Sequence, residues 1–102
     1  MYKLEIFPKV HEDLNALPDD VMVEVRDYMR KYKTDPYKYS QKLHNKKGLN
    51  LEGYRKTYVA NATYRIVIKI EDNIAKVVEV VAVGQRKDNY VYEEAYRRLF
   101  KK

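Results

Sequence analysis

The chain has 102 residues, 45% hydrophobic and 35% charged, and its 21 Lys and Arg against 15 Asp and Glu leave a net charge of +6. This balance argues for one packed domain spanning residues 1–102 and against a disordered tail, since a second domain would leave neither half a workable core. The absence of cysteine excludes disulfides and thiolate metal sites and fits a cytoplasmic location. No apolar run approaches the ~20 residues that cross a bilayer, so no membrane partner is expected.

Residues 2–7 alternate Tyr2, Leu4 and Ile6 with Lys3, Glu5 and Phe7, which predicts a short strand with one buried face and leaves no apolar core of signal-peptide length. Pro8 ends it and opens a helix in which Val10, Leu14 and Leu17 form one stripe. Pro18-Asp19-Asp20 restarts the chain, and Val21, Val25, Tyr28, Met29 and Tyr32 predict a second helix to about Lys33, stopped by Asp35-Pro36. The two helices form a hairpin. Residues 34–53 read as a basic loop broken by Gly48 and Gly53, with room for a helical turn near Tyr37–Gln41.

Three strands follow, at 54–60, 64–71 and 74–83, with turns at Asn61-Ala62-Thr63 and Asp72-Asn73. The third is apolar enough to lie inside the sheet, covered on both faces, and Gly84 is expected to end it. Residues 89–100 predict a last helix. The order β-α-α-β-β-β-α predicts an α+β fold, a small antiparallel-dominated sheet with the helical hairpin packed on one face.

Charge is localised. Between Arg30 and Lys56 there are nine Lys and Arg and two Asp and Glu, a surplus of +7 that leaves −1 for the rest of the chain. An anionic partner such as nucleic acid follows from that surplus. In the second strand of the hairpin, Ile66, Ile68 and Ile70 toward the core put Arg65 on the outer side. Taking Tyr54 and Tyr58 as core-facing puts Arg55 and Thr57 beside Arg65 and leaves Lys56 on the wrong parity, unless it snorkels or a bulge shifts the register. Arg86 and Tyr92 follow closely enough to reach the same surface. Guanidiniums and a phenol, with no metal-ligand cluster and no Ser/His/Asp set, suit a phosphodiester.

The runs Gly53-Tyr54-Arg55-Lys56, Tyr64-Arg65-Ile66-Val67, Val83-Gly84-Gln85-Arg86 and Val91-Tyr92-x-x-Ala95 together resemble the RelE branch of the RelE/ParE toxins of type II toxin–antitoxin pairs. The resemblance covers nearly the whole chain and implies a RelE-like fold of the microbial-ribonuclease type. It implies an mRNA endonuclease working in the ribosomal A site without metal or cofactor, with Arg65, Arg86 and Tyr92 catalytic. Arg55, Lys56, Lys42, Lys46 and Lys47 are the expected RNA-binding residues. Two positions depart from the pattern. Thr57 stands where the best-known members carry a second lysine, and Gln85 stands where a basic residue commonly precedes the loop arginine. The implied partners are a cognate antitoxin and the ribosome, with its rRNA and A-site mRNA. The free chain is expected to be a monomer and the antitoxin complex a hetero-oligomer.

RNA supplies its own nucleophile in the 2′-OH, and bidentate arginines stabilise the charge that gathers on the equatorial oxygens. Tyr92 serves as the base only where neighbouring cations lower its pKa well below about 10; otherwise it stacks on a nucleobase. His44 is a further candidate base, whereas His11 reads as a surface residue. Asp19-Asp20 and Glu93-Glu94 read as helix N-terminal caps. Tyr37 and Tyr39, interleaved with Lys38 and Lys42, either stack on bases or pack the loop onto the domain. Two other functions stay open at this point: a ParE-type inhibitor of DNA gyrase, and a basic domain that binds RNA or DNA without cutting it.

Overall fold

The computed structural model describes residues 1–43, 53–72, 76–85 and 97–98. Strand β1 (Lys3–Ile6) leads into helices α1 (Pro8–Asn15) and α2 (Asp19–Thr34), followed by β2 (Gln41–Lys42), β3 (Tyr54–Val59), β4 (Tyr64–Glu71) and β5 (Val77–Gln85). The strands form one mixed sheet in the order β1-β5-β4-β3-β2. β1 runs parallel to β5, and the other three pairings are antiparallel. The α+β architecture expected from the sequence is the one observed. Of the expected last helix, only Arg97 and Arg98 are described, and both are helical.

The helices begin and end where their chemistry dictates. Pro8 opens α1, where the amide it lacks would have had no partner within the helix. Asp19 and Asp20 occupy the first turn of α2 while Lys31 and Lys33 occupy the last, each sign matching the helix dipole. Val10, Val21, Val25, Met29 and Tyr32 from the two helices meet Val59, Ile66, Ile68, Val78, Val80 and Val83 from one face of the sheet. Burial of this set is the main cohesive force of the fold. Leu43, Tyr54, Val67 and Ala82 are also buried but lie outside that cluster. β5 is therefore covered on both sides from Val80 to Val83, its continuous apolar stretch.

Several boundaries differ from expectation. β3 stops at Val59 because Ala60, Asn61 and Ala62 turn with φ of 52°, 55° and 67°, the left-handed region no strand continues through. That turn is held by Glu24, which accepts from the Ala60 amide at 3.0 Å, and by the Thr63 hydroxyl, which donates to the Ala60 carbonyl at 2.6 Å. β5 starts late, at Val77, because Lys76 has φ 49°. It then continues through Gly84 to Gln85, which pair with Arg65 and Tyr64. The segment read as loop contains a turn at 36–39 and then β2, which extends the sheet beside β3. Gly53, at φ 89°, makes the approach to β3; the backbone angle, not space, demands glycine there.

A β-bulge interrupts the β4–β5 ladder, where Val67 faces Ala82 and Ile68 faces Val80, leaving Val81 as the extra residue. The carbonyl of Val81 accepts from Arg98 at 2.9 Å. The same guanidinium grips both oxygens of Asp13 in α1, at 2.8 and 2.9 Å, and Asp13 Oδ2 also accepts from the Val83 amide at 3.0 Å. One carboxylate thus ties α1, the bulge and the C-terminal region together. Asp13→Ala removes the charge that answers Arg98 in a largely buried position, and breaking such a pair costs about 3–5 kcal/mol. Urea denaturation of the variant is expected to read a loss of that size.

Candidate nucleic-acid interface

The register of the β3–β4 hairpin sets which charges meet. Val59 pairs with Tyr64, so Tyr58 stands opposite Arg65 and Lys56 opposite Val67. On β4, Ile66 and Ile68 enter the helix-side core, and alternation sends Arg65, Val67 and Lys69 to the other face. Tyr54, Lys56 and Tyr58 share that face. β5 completes the row by placing Gly84, without a side chain, opposite Arg65. Tyr58, Arg65 and Gly84 therefore lie side by side across three strands.

Cations and rings alternate on this face. The Arg65 guanidinium lies over the Tyr58 ring at 4.7 Å from its centroid, and Lys56 Nζ lies 5.0 Å from the same ring. Lys69 Nζ is 5.8 Å from the Tyr54 ring and forms an ion pair with Glu71 at 2.9 Å. Burial is high, with Arg65 5% and Lys56 9% exposed. Charges held in so little water act more strongly on an anion that reaches them than surface charges do.

The expected parity of β3 is reversed. Arg55 and Thr57 point to the helix side, away from Arg65, while Tyr54 and Tyr58 point with Arg65. Thr57 is the reason. Its hydroxyl donates to the Tyr39 carbonyl at 2.7 Å and accepts from the Tyr32 phenol of α2. Burial raises the pKa of Tyr32, which keeps that donor protonated. Lys56 consequently needs neither snorkelling nor a bulge to reach the face of Arg65. The alternation of β3 puts Tyr58, not Thr57, two residues beyond the lysine on that face.

Arg55 is committed elsewhere. Its Nε donates to Ser40 Oγ at 2.7 Å, its Nη2 donates to the Ser40 carbonyl at 2.9 Å, and its guanidinium lies 5.1 Å from the Tyr37 ring centroid. Tyr37 and Tyr2 in turn donate to Asp72 at 3.2 and 2.7 Å. The Tyr2 bond lowers the pKa of the Asp72 carboxyl and pushes the Tyr2 phenol up to about 12. Lys42 pairs with Arg55 on the exposed edge strand and so lies on the helix side of the sheet. Tyr39 packs against the core and against Tyr28, as the packing alternative has it. His11 is exposed. Arg86, Tyr92, Lys46, Lys47, His44 and Glu93-Glu94 lie outside the described residues. Of the expected RNA-binding and catalytic residues that are described, the fold unites Arg65 with Lys56 and separates both from Arg55 and Lys42.

Two residues of this face escape a reading by polarity, Tyr58 and Gly84. Closing the hairpin at Val59 and Tyr64 is the signal that finds Tyr58, since it forces 58 opposite 65.

No protein-family model matches the chain, and no curated protein matches it. Solved structures do. The chain is similar to a double arginine-to-alanine mutant of the Escherichia coli toxin RelE in the free state, at 23% identity, covering 97% of this chain and 98% of that one with a TM-score of 0.72. This chain has the RelE fold. It is similar also to the RelBE toxin–antitoxin complex of Mycobacterium tuberculosis, at 21% identity over 83% of this chain and 98% of that chain, TM-score 0.69. An archaeal RelE–RelB complex from Pyrococcus horikoshii matches at 16% identity over 85% of this chain and 97% of that chain, TM-score 0.62.

Within the RelE fold of this chain, Thr57 carries structure rather than charge. Thr57→Val deprives the buried Tyr32 phenol of its acceptor, which costs about 1–3 kcal/mol. A lowered urea midpoint with an unchanged circular dichroism spectrum is the expected result.

Proposed function

We propose that this protein is the toxin of a type II toxin–antitoxin pair and a ribosome-dependent, metal-independent mRNA endonuclease. The observation that carries the reading is the shared sheet face of Arg65 and Lys56 in a RelE fold. Arg65 supplies two parallel donors to the non-bridging oxygens of the scissile phosphate, and Lys56 adds a point charge to the same backbone. Arg86 and Tyr92 complete the set on the strength of the sequence resemblance.

In this mechanism the 2′-oxygen attacks phosphorus, and its proton passes to a base. The P–O5′ bond breaks, and the 5′-oxygen leaves as a hydroxyl after taking up a proton. The products are a 2′,3′-cyclic phosphate and a 5′-OH. Charge on the equatorial oxygens peaks in the transition state, where a desolvated guanidinium stabilises it most. The RelB complexes among the similar structures support an antitoxin as partner.

Primer extension on a translated message with ribosomes and purified protein tests the reading. Cuts in the A-site codon are expected, with the same message intact when ribosomes are omitted. Intact message together with inhibited gyrase would instead assign the protein a ParE-type action. Adding EDTA after the ribosomes have been loaded, at a level that spares them, is expected to leave cleavage unchanged; abolished cleavage would sink the metal-free mechanism. Arg65→Gln is expected to lower single-turnover cleavage about 10²–10³-fold, the size seen when one oxyanion donor is removed. Thermal denaturation of the same variant separates lost chemistry from lost fold.

A further inference from the structure

We propose that Tyr58 is a positioning residue for the Arg65 guanidinium, acting through its ring rather than its hydroxyl. The inference rests on the nuclease reading for its catalytic consequence, but the positioning itself can be tested without it. Tyr58 is the direct cross-strand partner of Arg65, where side chains stand about 4.5–5.5 Å apart at Cβ. The guanidinium sits 4.7 Å from the centroid of its ring and Lys56 Nζ 5.0 Å from the same centroid. One aromatic ring therefore serves two cations at once. A planar guanidinium over an aromatic face loses rotational freedom, which sets the plane of its donor fork.

The neighbours make that plane matter. Gly84, on the other flank of Arg65, has no side chain to steer the guanidinium, so among the three residues in that row the steering surface is Tyr58. Two like charges near one ring also repel, and the negative face of that ring offsets part of the repulsion. A phosphate that reaches Lys56 and Arg65 meets both cations already held against one ring. Pre-orientation of this kind lowers the barrier of the chemical step more than it tightens ground-state binding.

The test compares Tyr58→Phe, which keeps the ring, with Tyr58→Leu, which removes it. Two readouts are taken, ribosome-dependent cleavage and the Nε–Hε NMR signal of Arg65, assigned with Arg65→Lys. Stacking is expected to shift Hε upfield in wild type and in Tyr58→Phe, and to lose that shift in Tyr58→Leu. Tyr58→Leu is expected to lower kcat about tenfold with KM within about twofold, and Tyr58→Phe to restore most of that loss. Circular dichroism and thermal midpoints check that each variant is folded. An Arg65 signal unchanged in a folded Tyr58→Leu overturns the proposal whether or not the protein cleaves RNA. Tyr58→Phe as impaired as Tyr58→Leu overturns it as well, by assigning the role to the hydroxyl. Wild type that never cleaves rejects the nuclease reading alone, and the NMR comparison then decides the positioning claim by itself.

Discussion

The hydroxyl of Thr57 governs the outward chemistry of this protein while facing inward. It sits between the Tyr39 carbonyl and the Tyr32 phenol, and both of those groups are held by helix α2 and the turn that follows it. In an antiparallel hairpin, slipping one residue inverts every side chain. Pinning Thr57 toward the helices thus also pins Lys56 and Tyr58 toward the opposite face, where Arg65 lies. An inverted strand would turn Lys56 toward the helix-side core and leave the Tyr39 carbonyl and the Tyr32 phenol without the Thr57 hydroxyl. Both costs are large beside the ordinary propensities of the residues involved.

A second constraint acts on the far side of the sheet. The bulge at Val81 shifts the alternation of β5, so Val78 and Val80 enter the core before it and Val83 after it. This shift keeps Ala82 and Gly84 in line with Val67 and Arg65. A bulge frees backbone groups that would otherwise be paired, and Asp13 and Arg98 take them up. The ion pair and the bulge are one device: each satisfies groups that the other exposes. The glycine beside Arg65 owes its place to that device.

Among the described residues, the cations expected to meet RNA divide into two groups. Arg55 and Lys42 lie at the β2–β3 edge on the helix side, and there Arg55 braces the turn at 36–39 through Ser40 and Tyr37. Lys56 and Arg65 lie on the other face, nearly buried, with the Tyr58 ring beside both. A ring offers a cation partial compensation without neutralising it, and so preserves its capacity to attract a phosphate.

Much of this was readable from residue order. The 3.6-residue spacing of Val21, Val25, Tyr28, Met29 and Tyr32 marked α2, and the alternation of Ile66, Ile68 and Ile70 oriented β4, because local periodicity reports directly on which face is apolar. Arg65 was legible for the same reason. The orientation of β3 was not, since Tyr-Arg-Lys-Thr-Tyr offers bulky and polar residues at both parities, and large aromatic side chains argue for the wrong face. Pairing with β4 and the grip of α2 on Thr57 resolve that ambiguity. Composition and local pattern determined α1 and α2, the existence of β1, β3, β4 and β5, and the excess of positive charge. Only tertiary structure decided which cations face one another, because that depends on register and on hydrogen bonds between distant residues, such as Tyr32 and Thr57, 25 positions apart.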